Sequence, residues 1–141
     1  MKEIVVSNNN EELSLVLDFI NKNLDLINPS PKFRAELELS IEEIFVNIVN
    51  YAYKTTNTKN KINIQYRMDS NIENPSKVII EVSDSGTPFN PLKIESPDIT
   101  LSSKERSIGG LGIFLLKKNV DNINYKYENK RNILTIEKNL K

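Results

Sequence analysis

The stretch PKFRAELELSIEEIFVNIVNYAY, residues 31–53, is a long periodic segment of this 141-residue chain. Apolar side chains recur in it at steps of three and four, which predicts a helix with one buried face. They are Leu37, Ile41, Ile44, Phe45, Ile48 and Ala52. The Asn28-Pro-Ser-Pro31 sequence before it supplies a break. We therefore expect residues 31–53 to form the central helix of the fold.

A polar stripe runs along the same predicted helix, given roughly 100° of rotation per residue. Its members are Glu36, Ser40, Glu43, Asn47, Asn50 and Lys54. Either it is a modest solvent face, or it lines a cavity, because apolar side chains flank it on both edges. The pair Glu43 and Asn47, one turn apart, could hold hydrated Mg²⁺: an amide oxygen is a hard ligand, and a carboxylate orients a water or accepts a proton.

The rest of the chain alternates short segments of strand and helix character. In chain order they are a strand at 3–7, a helix at 10–23, strands at 61–68 and 77–83, a helix from 109 to about 121, and strands at 123–127 and 132–138. We expect the strands at 61–68 and 77–83 to form an antiparallel pair. We expect the strands at 123–127 and 132–138 to form a hairpin turned at 128–130. The length suits one domain spanning 1–141.

Residues 90–108 show no sustained period and contain Pro91, Pro97 and many Ser and Thr residues. A compact domain rarely keeps so long a loop without a use. We interpret this segment as a functional lid.

Composition excludes several classes of chemistry. The chain has no Cys and no His, so a disulfide, a thiolate or imidazole zinc site, a Cys nucleophile and a Ser-His-Asp triad are all ruled out. Nineteen acidic residues balance nineteen basic ones, so no footprint for nucleic acid or an anionic membrane is present. No apolar run approaches a membrane span, and no signal peptide is visible at the start. We expect a soluble, cytoplasmic protein.

All four glycines lie in two short motifs, Asp84-Ser-Gly-Thr-Pro-Phe89 and Gly109-Gly-Leu-Gly112. Because Gly lets the backbone approach a ligand closely, this concentration suggests a bound molecule. Asp84 follows an apolar strand directly, and a buried carboxylate needs hydrogen-bond donors. The exocyclic amine of an adenine is one candidate donor, and a simple strand-ending turn is the alternative.

The second glycine motif opens an apolar helix, so its free N–H groups and helix dipole would face an anion such as phosphate. It lacks the Gly-Lys-Ser/Thr of a Walker A loop and the preceding strand of a Rossmann fingerprint. A hinge at the end of the lid remains the alternative.

The three features in this order resemble the GHKL ATP-binding family. Its N-box, G1 box and G2 box would be residues 43–47, 84–89 and 109–112. Within that family, the N-box sequence Glu-Glu-Ile-Phe-Val-Asn-Ile and the continuation of the G1 box at 87–91 look most like bacterial anti-sigma regulatory factors with serine-protein-kinase activity. The fold this implies is an α/β two-layer sandwich, with a mixed, mostly antiparallel sheet and three helices on one face.

The resemblance also implies roles for individual residues around Mg-ATP. Asn47 would ligate Mg²⁺, Glu43 would act as or orient the base, and Asp84 would read the adenine amine. Gly86 would give the base room, and Arg106 or its neighbour Lys104 would meet the γ-phosphate. The predicted nucleotide site also contains Asn50, Pro88, Phe89, Gly109, Gly110, Leu111 and Gly112, with Gly110 and Gly112 on the phosphates. Asn132 stands where relatives often carry a Gly-Thr pair near the adenine.

The missing His excludes a self-phosphorylating histidine kinase for this polypeptide. What the resemblance then implies is phosphoryl transfer to another protein, a Ser on a small STAS-domain antagonist, with mutually exclusive binding of a sigma factor and a possible homodimer. Two alternatives remain open: a non-catalytic ATP-gated module that sequesters a partner, and a structural interaction domain.

Overall fold

A computed structural model of the chain describes residues 2–52, 57–69, 76–88, 90, 92 and 110–140. The predicted lid at 90–108 lies outside the described residues except at positions 90 and 92. The elements are β1 (Lys2–Asn8), a 3₁₀ turn (Asn10–Glu12), α1 (Leu13–Leu24), α2 (Pro31–Asn47), a π-helical turn (Ile48–Ala52), β2 (Asn57–Met68), β3 (Lys77–Asp84), α3 (Gly110–Asn119), β4 (Asn122–Glu128) and β5 (Arg131–Asn139).

The five strands form one sheet in the order β1-β2-β3-β5-β4. The predicted pairing of β2 with β3 and the predicted β4–β5 hairpin are both confirmed. The sheet was expected to be mixed and mostly antiparallel, but each neighbouring pair in the described part of the chain is antiparallel.

Helices cover one face of this sheet. Along β5 the buried positions alternate, so Asn132, Leu134, Ile136 and Lys138 face the helices. The apolar core joins these positions to side chains from all three helices, including Val16 and Ile20 of α1, Leu37, Ile41 and Phe45 of α2, and Leu116 of α3. The result is the predicted α/β two-layer sandwich.

The central helix begins where the sequence predicts, because Ser30 caps it and Pro31 occupies its first turn. The Ser30 hydroxyl accepts a hydrogen bond from the Phe33 N–H at 3.1 Å. Its regular part ends earlier than expected, at Asn47, where the chain continues as the π-helical turn.

Contacts of Lys138 place the start of α2 relative to the sheet. The Lys138 Nζ atom is 3.7 Å from the Glu36 carboxylate near the start of α2, and Lys138 pairs with Val78 near the start of β3. From Glu36, α2 advances roughly 16 Å to Asn47 at about 1.5 Å per residue. The strands advance roughly 20 Å from Lys138 to Asn132 at about 3.3 Å per residue. The start of α2 therefore lies at the sheet end opposite Asp84, and the helix is long enough to cover most of the distance to the other end.

No helix within the described ranges is long and apolar enough to cross a membrane.

Candidate nucleotide-binding site

Glu43 and Asn47 are tied together near the C-terminal end of α2. The Asn47 side-chain nitrogen Nδ2 donates to the Glu43 backbone carbonyl at 2.8 Å and to the Glu43 Oε1 at 2.9 Å. Asn47 is buried, with only 2% of its surface exposed. Because both bonds use Nδ2, the amide oxygen is the atom that a cation could take.

The environment of Glu43 suits a proton acceptor. Partial burial raises the pKa of its carboxyl above the ordinary value, the Asn47 hydrogen bond opposes that rise, and the neighbouring Glu42 charge adds to it. A carboxylate with a raised pKa is a stronger base than an ordinary surface Glu.

The polar stripe on α2 is not the wet side of the helix. Ser40 is buried, and its hydroxyl donates to the Glu36 carbonyl at 2.8 Å. Leu39, by contrast, is 56% exposed, and Glu42 is exposed as well. This favours the interpretation that the stripe faces the interior.

Asn50 departs from that stripe. It lies in the π-helical turn and is exposed. A π-helical turn holds more residues than an α-helical one, so a position three residues beyond Asn47 no longer falls directly above it. The structure does not bring Asn50 together with Glu43 and Asn47, and its contact with the nucleotide stays a prediction.

A cavity of about 250 Å³ opens beside Glu43. It lies between α2 and α3 and is lined by Leu39, Glu42, Glu43, Val46, Leu115, Leu116 and Asn119. The carboxylate of the predicted base therefore borders a space large enough to admit part of another molecule.

Asp84 ends β3 on the face covered by the helices and is 1% exposed. Its Oδ1 atom accepts a hydrogen bond from the Gly86 N–H at 2.8 Å and another from the Asn132 Nδ2 at 3.1 Å. These bonds make the expected buried carboxylate compatible with the core. Gly86 is buried beside it, whereas Pro88 is exposed.

Asn132, which departs from the family pattern, contacts the Asp84 carboxylate. It lies opposite Asp84 in the β3–β5 register and is 5% exposed. Its Nδ2 atom also faces the Thr87 carbonyl at 3.0 Å and the Gly86 carbonyl at 3.4 Å. The hydroxyl of Tyr125 on β4 donates to its Oδ1 atom.

Tyr125 was missed at the sequence level. Strand alternation places it on the same face as Ile123 and Tyr127, but nothing local marks it as a neighbour of the Asp84 motif. Only the placement of β5 between β3 and β4 brings it there.

The second glycine motif opens α3 as predicted, with Gly110, Leu111 and Gly112 in its first turn. Phe89, Lys104, Arg106 and Gly109 lie outside the described residues, so their predicted contacts with the nucleotide are not placed.

The donor set fits Mg²⁺ bound together with a nucleotide. Among the described residues there is no cluster of three or more Asp, Glu, His or Cys side chains. Mg²⁺ is commonly held by one or two protein oxygens plus substrate phosphates. The Asn47 amide oxygen, beside the Glu43 carboxylate, is a ligand of that kind.

The fold and the three ordered motifs define a nucleotide-binding domain of the GHKL type. Residues 6–138 match the family described as the histidine kinase-like ATPase domain. The chain belongs to that family, which confirms the fold and the family predicted from the motifs.

Two solved structures are similar to the chain over 99% of its length. One is the histidine kinase AdeS of Acinetobacter baumannii, with 9% sequence identity, 68% of that chain covered and a TM-score of 0.49. The other is the nucleotide-free catalytic domain of histidine kinase ThkA, with 14% identity, 98% covered and a TM-score of 0.47. Curated protein sequences provide no match to the chain.

Proposed function

We propose that this protein binds Mg-ATP and transfers the γ-phosphoryl group to a serine hydroxyl on a partner protein. The observation that carries the proposal is the hydrogen-bonded pair of Glu43 and Asn47, on a helix that begins at the sheet end opposite the Asp84 motif. In this proposal the base and the cation ligand belong to one site with the Asp84 carboxylate, the buried acceptor for a nucleobase.

Family membership implies ATP binding, and the Asp84 environment supports adenine as the base. The carboxylate is a buried acceptor that receives hydrogen bonds from the Gly86 N–H and the Asn132 Nδ2. A buried acceptor favours a ligand edge that donates, such as the exocyclic amine of adenine. The Gly86 position, without a side chain, lets a flat base approach the backbone.

Mg²⁺ bound by the Asn47 amide oxygen and the phosphates would neutralise charge on the transferring group. Glu43 itself would act on the acceptor. The hydroxyl oxygen attacks the γ-phosphorus, its proton moves to the Glu43 carboxylate, and the bond from the γ-phosphorus to the bridging oxygen breaks to release ADP.

The need for a base favours a hydroxyl acceptor. The attacking nitrogen of a neutral imidazole carries no proton, whereas a hydroxyl must lose its proton as it attacks. The chain also has no His to phosphorylate. Glu43 borders the cavity between α2 and α3, so a partner's side chain has a route to it.

The resemblance to anti-sigma regulatory factors supports the choice of partner. We infer that the acceptor serine belongs to a small STAS-domain antagonist and that a sigma factor competes for the same protein. A homodimer and a cytoplasmic location belong to the same proposal.

The test is a transfer assay with γ-labelled ATP, Mg²⁺ and a lysate of the source cells. The wild-type protein should label one small protein on serine, and Glu43→Gln should bind ATP without labelling it. Glu11→Gln is the matched control, because it removes the same charge from an exposed position in the turn before α1, outside the cavity lining. Full transfer by Glu43→Gln would overturn the assignment of the base. ATP binding without any label would instead favour the ATP-gated sequestering module.

A further inference from the structure

A chain of side-chain hydrogen bonds links β4 to the Asp84 motif through β5. The Tyr125 hydroxyl donates to the Asn132 Oδ1, and the Asn132 Nδ2 donates to the Asp84 Oδ1. No motif in the sequence includes Tyr125, which is half-buried.

The surroundings determine which way the Asn132 amide is turned. Its nitrogen faces three oxygens, those of the Asp84 carboxylate and of the Gly86 and Thr87 carbonyls. Turning the amide by half a revolution would set its oxygen against these acceptors. The Tyr125 hydroxyl stabilises the observed orientation from the other side, because it donates to the amide oxygen.

Because Asp84 and Asn132 are buried, the orientation of the Asn132 amide strongly affects the energy of the site. Asp84 and Asn132 are 1% and 5% exposed. Hydrogen bonds are stronger in such surroundings, and a mismatch of donor and acceptor is costly there. The amide spans the carboxylate and the turn after it, so its orientation sets the relative positions of both.

We propose that Tyr125 is a positioning residue for nucleotide binding. Acting through Asn132, it holds the Asp84 carboxylate and the Gly86 and Thr87 carbonyls in the arrangement that receives the base. The inference rests on the proposed function, in which Asp84 contacts that base.

The test compares two tyrosines on the same strand and the same face. Tyr125→Phe removes the hydroxyl that bonds Asn132, and Tyr127→Phe removes one from a side chain that is 44% exposed. The dissociation constant for Mg-ATP is measured by calorimetry, with melting of the nucleotide-free protein as a measure of folding. Tyr125→Phe should weaken binding by roughly three- to tenfold, the size of one net hydrogen bond. Tyr127→Phe should leave the dissociation constant unchanged within about twofold.

A double-mutant cycle with Asn132→Ala separates positioning from a general loss of stability. If Tyr125 acts through Asn132, Tyr125→Phe has no further effect on ATP affinity in the Asn132→Ala background. Additive losses, or an unchanged affinity for Tyr125→Phe alone, would overturn the inference while ATP binding by the wild type still stands. A wild-type protein that binds no ATP would overturn the proposed function, and this inference with it.

Discussion

The Asn47 side-chain nitrogen lies 2.9 Å from the Glu43 Oε1, one turn away on α2. A hydrogen bond to a carboxylate favours its ionised form, yet burial outweighs that bond and raises the Glu43 pKa. Glu43 is therefore held where its charge is costly to the fold, as is common for groups that take part in chemistry.

We expect Glu43→Gln to raise the melting temperature at neutral pH. A raised pKa means that the folded state holds the proton more tightly than the unfolded state. The contribution of Glu43 to stability is therefore complete below the ordinary pKa of 4.5 and is lost as the pH rises through the raised value. Glutamine keeps an oxygen for the Asn47 hydrogen bond without the charge.

Melting of wild type and Glu43→Gln between about pH 4 and pH 8 checks this expectation, with the difference growing toward the alkaline end. Glu42→Gln, at the exposed neighbouring position, should change stability less. A Glu43→Gln variant that melts below wild type at neutral pH would show that burial does not dominate the pKa.

Asp84→Asn should weaken ATP binding by roughly 10- to 100-fold, the loss of one charge-assisted hydrogen bond. The amide oxygen of the variant can still accept from the Gly86 N–H and the Asn132 Nδ2, so the protein should fold. Calorimetric titration with Mg-ATP measures the effect. Asp18→Asn, at an exposed position on α1, is the control and should bind normally. Equal affinities for both variants would remove Asp84 from the site.

Lys138→Met should destabilise the protein by about 1–3 kcal/mol. The buried ammonium donates to the Asn119 carbonyl at the end of α3, faces the Glu36 carboxylate at 3.7 Å and lies 5.4 Å from the centre of the Phe33 ring. Methionine retains most of the apolar length but none of the donors.

Urea unfolding measures how much Lys138→Met lowers the free energy of unfolding. The matched control is Lys126→Met, which removes a lysine paired with Glu128 in an exposed salt bridge on β4. Exposed pairs contribute at most about 1 kcal/mol, so the control should be nearly neutral. Equal losses for the two variants would mean that Lys138 does not hold α3 to the sheet.

Lys130→Gly should stabilise the β4–β5 hairpin. Asn129 and Lys130 have φ angles of 54° and 62°, so the two-residue turn needs positive φ at both positions. A left-handed conformation costs a non-glycine residue about 1–2 kcal/mol, and glycine loses roughly 0.5–1 kcal/mol in added chain entropy, so a small net gain remains. Thermal melting checks it, and a lower melting temperature for Lys130→Gly would contradict this account of the turn.

Much of the fold could be predicted from local patterns. A period of about 3.6 marks α2, and alternation marks the middle strands, because each pattern follows directly from how side chains project from the backbone. The start of β2 at Asn57, four residues before the predicted position, and the π-helical turn after Asn47 were not foreseen. Neither has a periodic signal of its own in the sequence.

The candidate site likewise contains one contact that spacing in the sequence predicts and one that depends on tertiary structure. Glu43 and Asn47 are one turn apart on a single helix, so their proximity was predictable from spacing alone. Asp84 and Asn132 are 48 residues apart, and their contact depends on β5 pairing with β3. No local pattern encodes that β3 and β5, which are far apart in the chain, become neighbours.

The sequence by itself determined the order of helices and strands, the three motifs and the family to which they belong. Those properties depend on residue type and on spacing along a continuous segment. Only the tertiary structure decided that α2 begins at the sheet end opposite Asp84, that Asn132 bonds the Asp84 carboxylate and that Tyr125 bonds Asn132. These relationships depend on strand order and on the packing of the helices, which arise only when distant segments bury their apolar faces together.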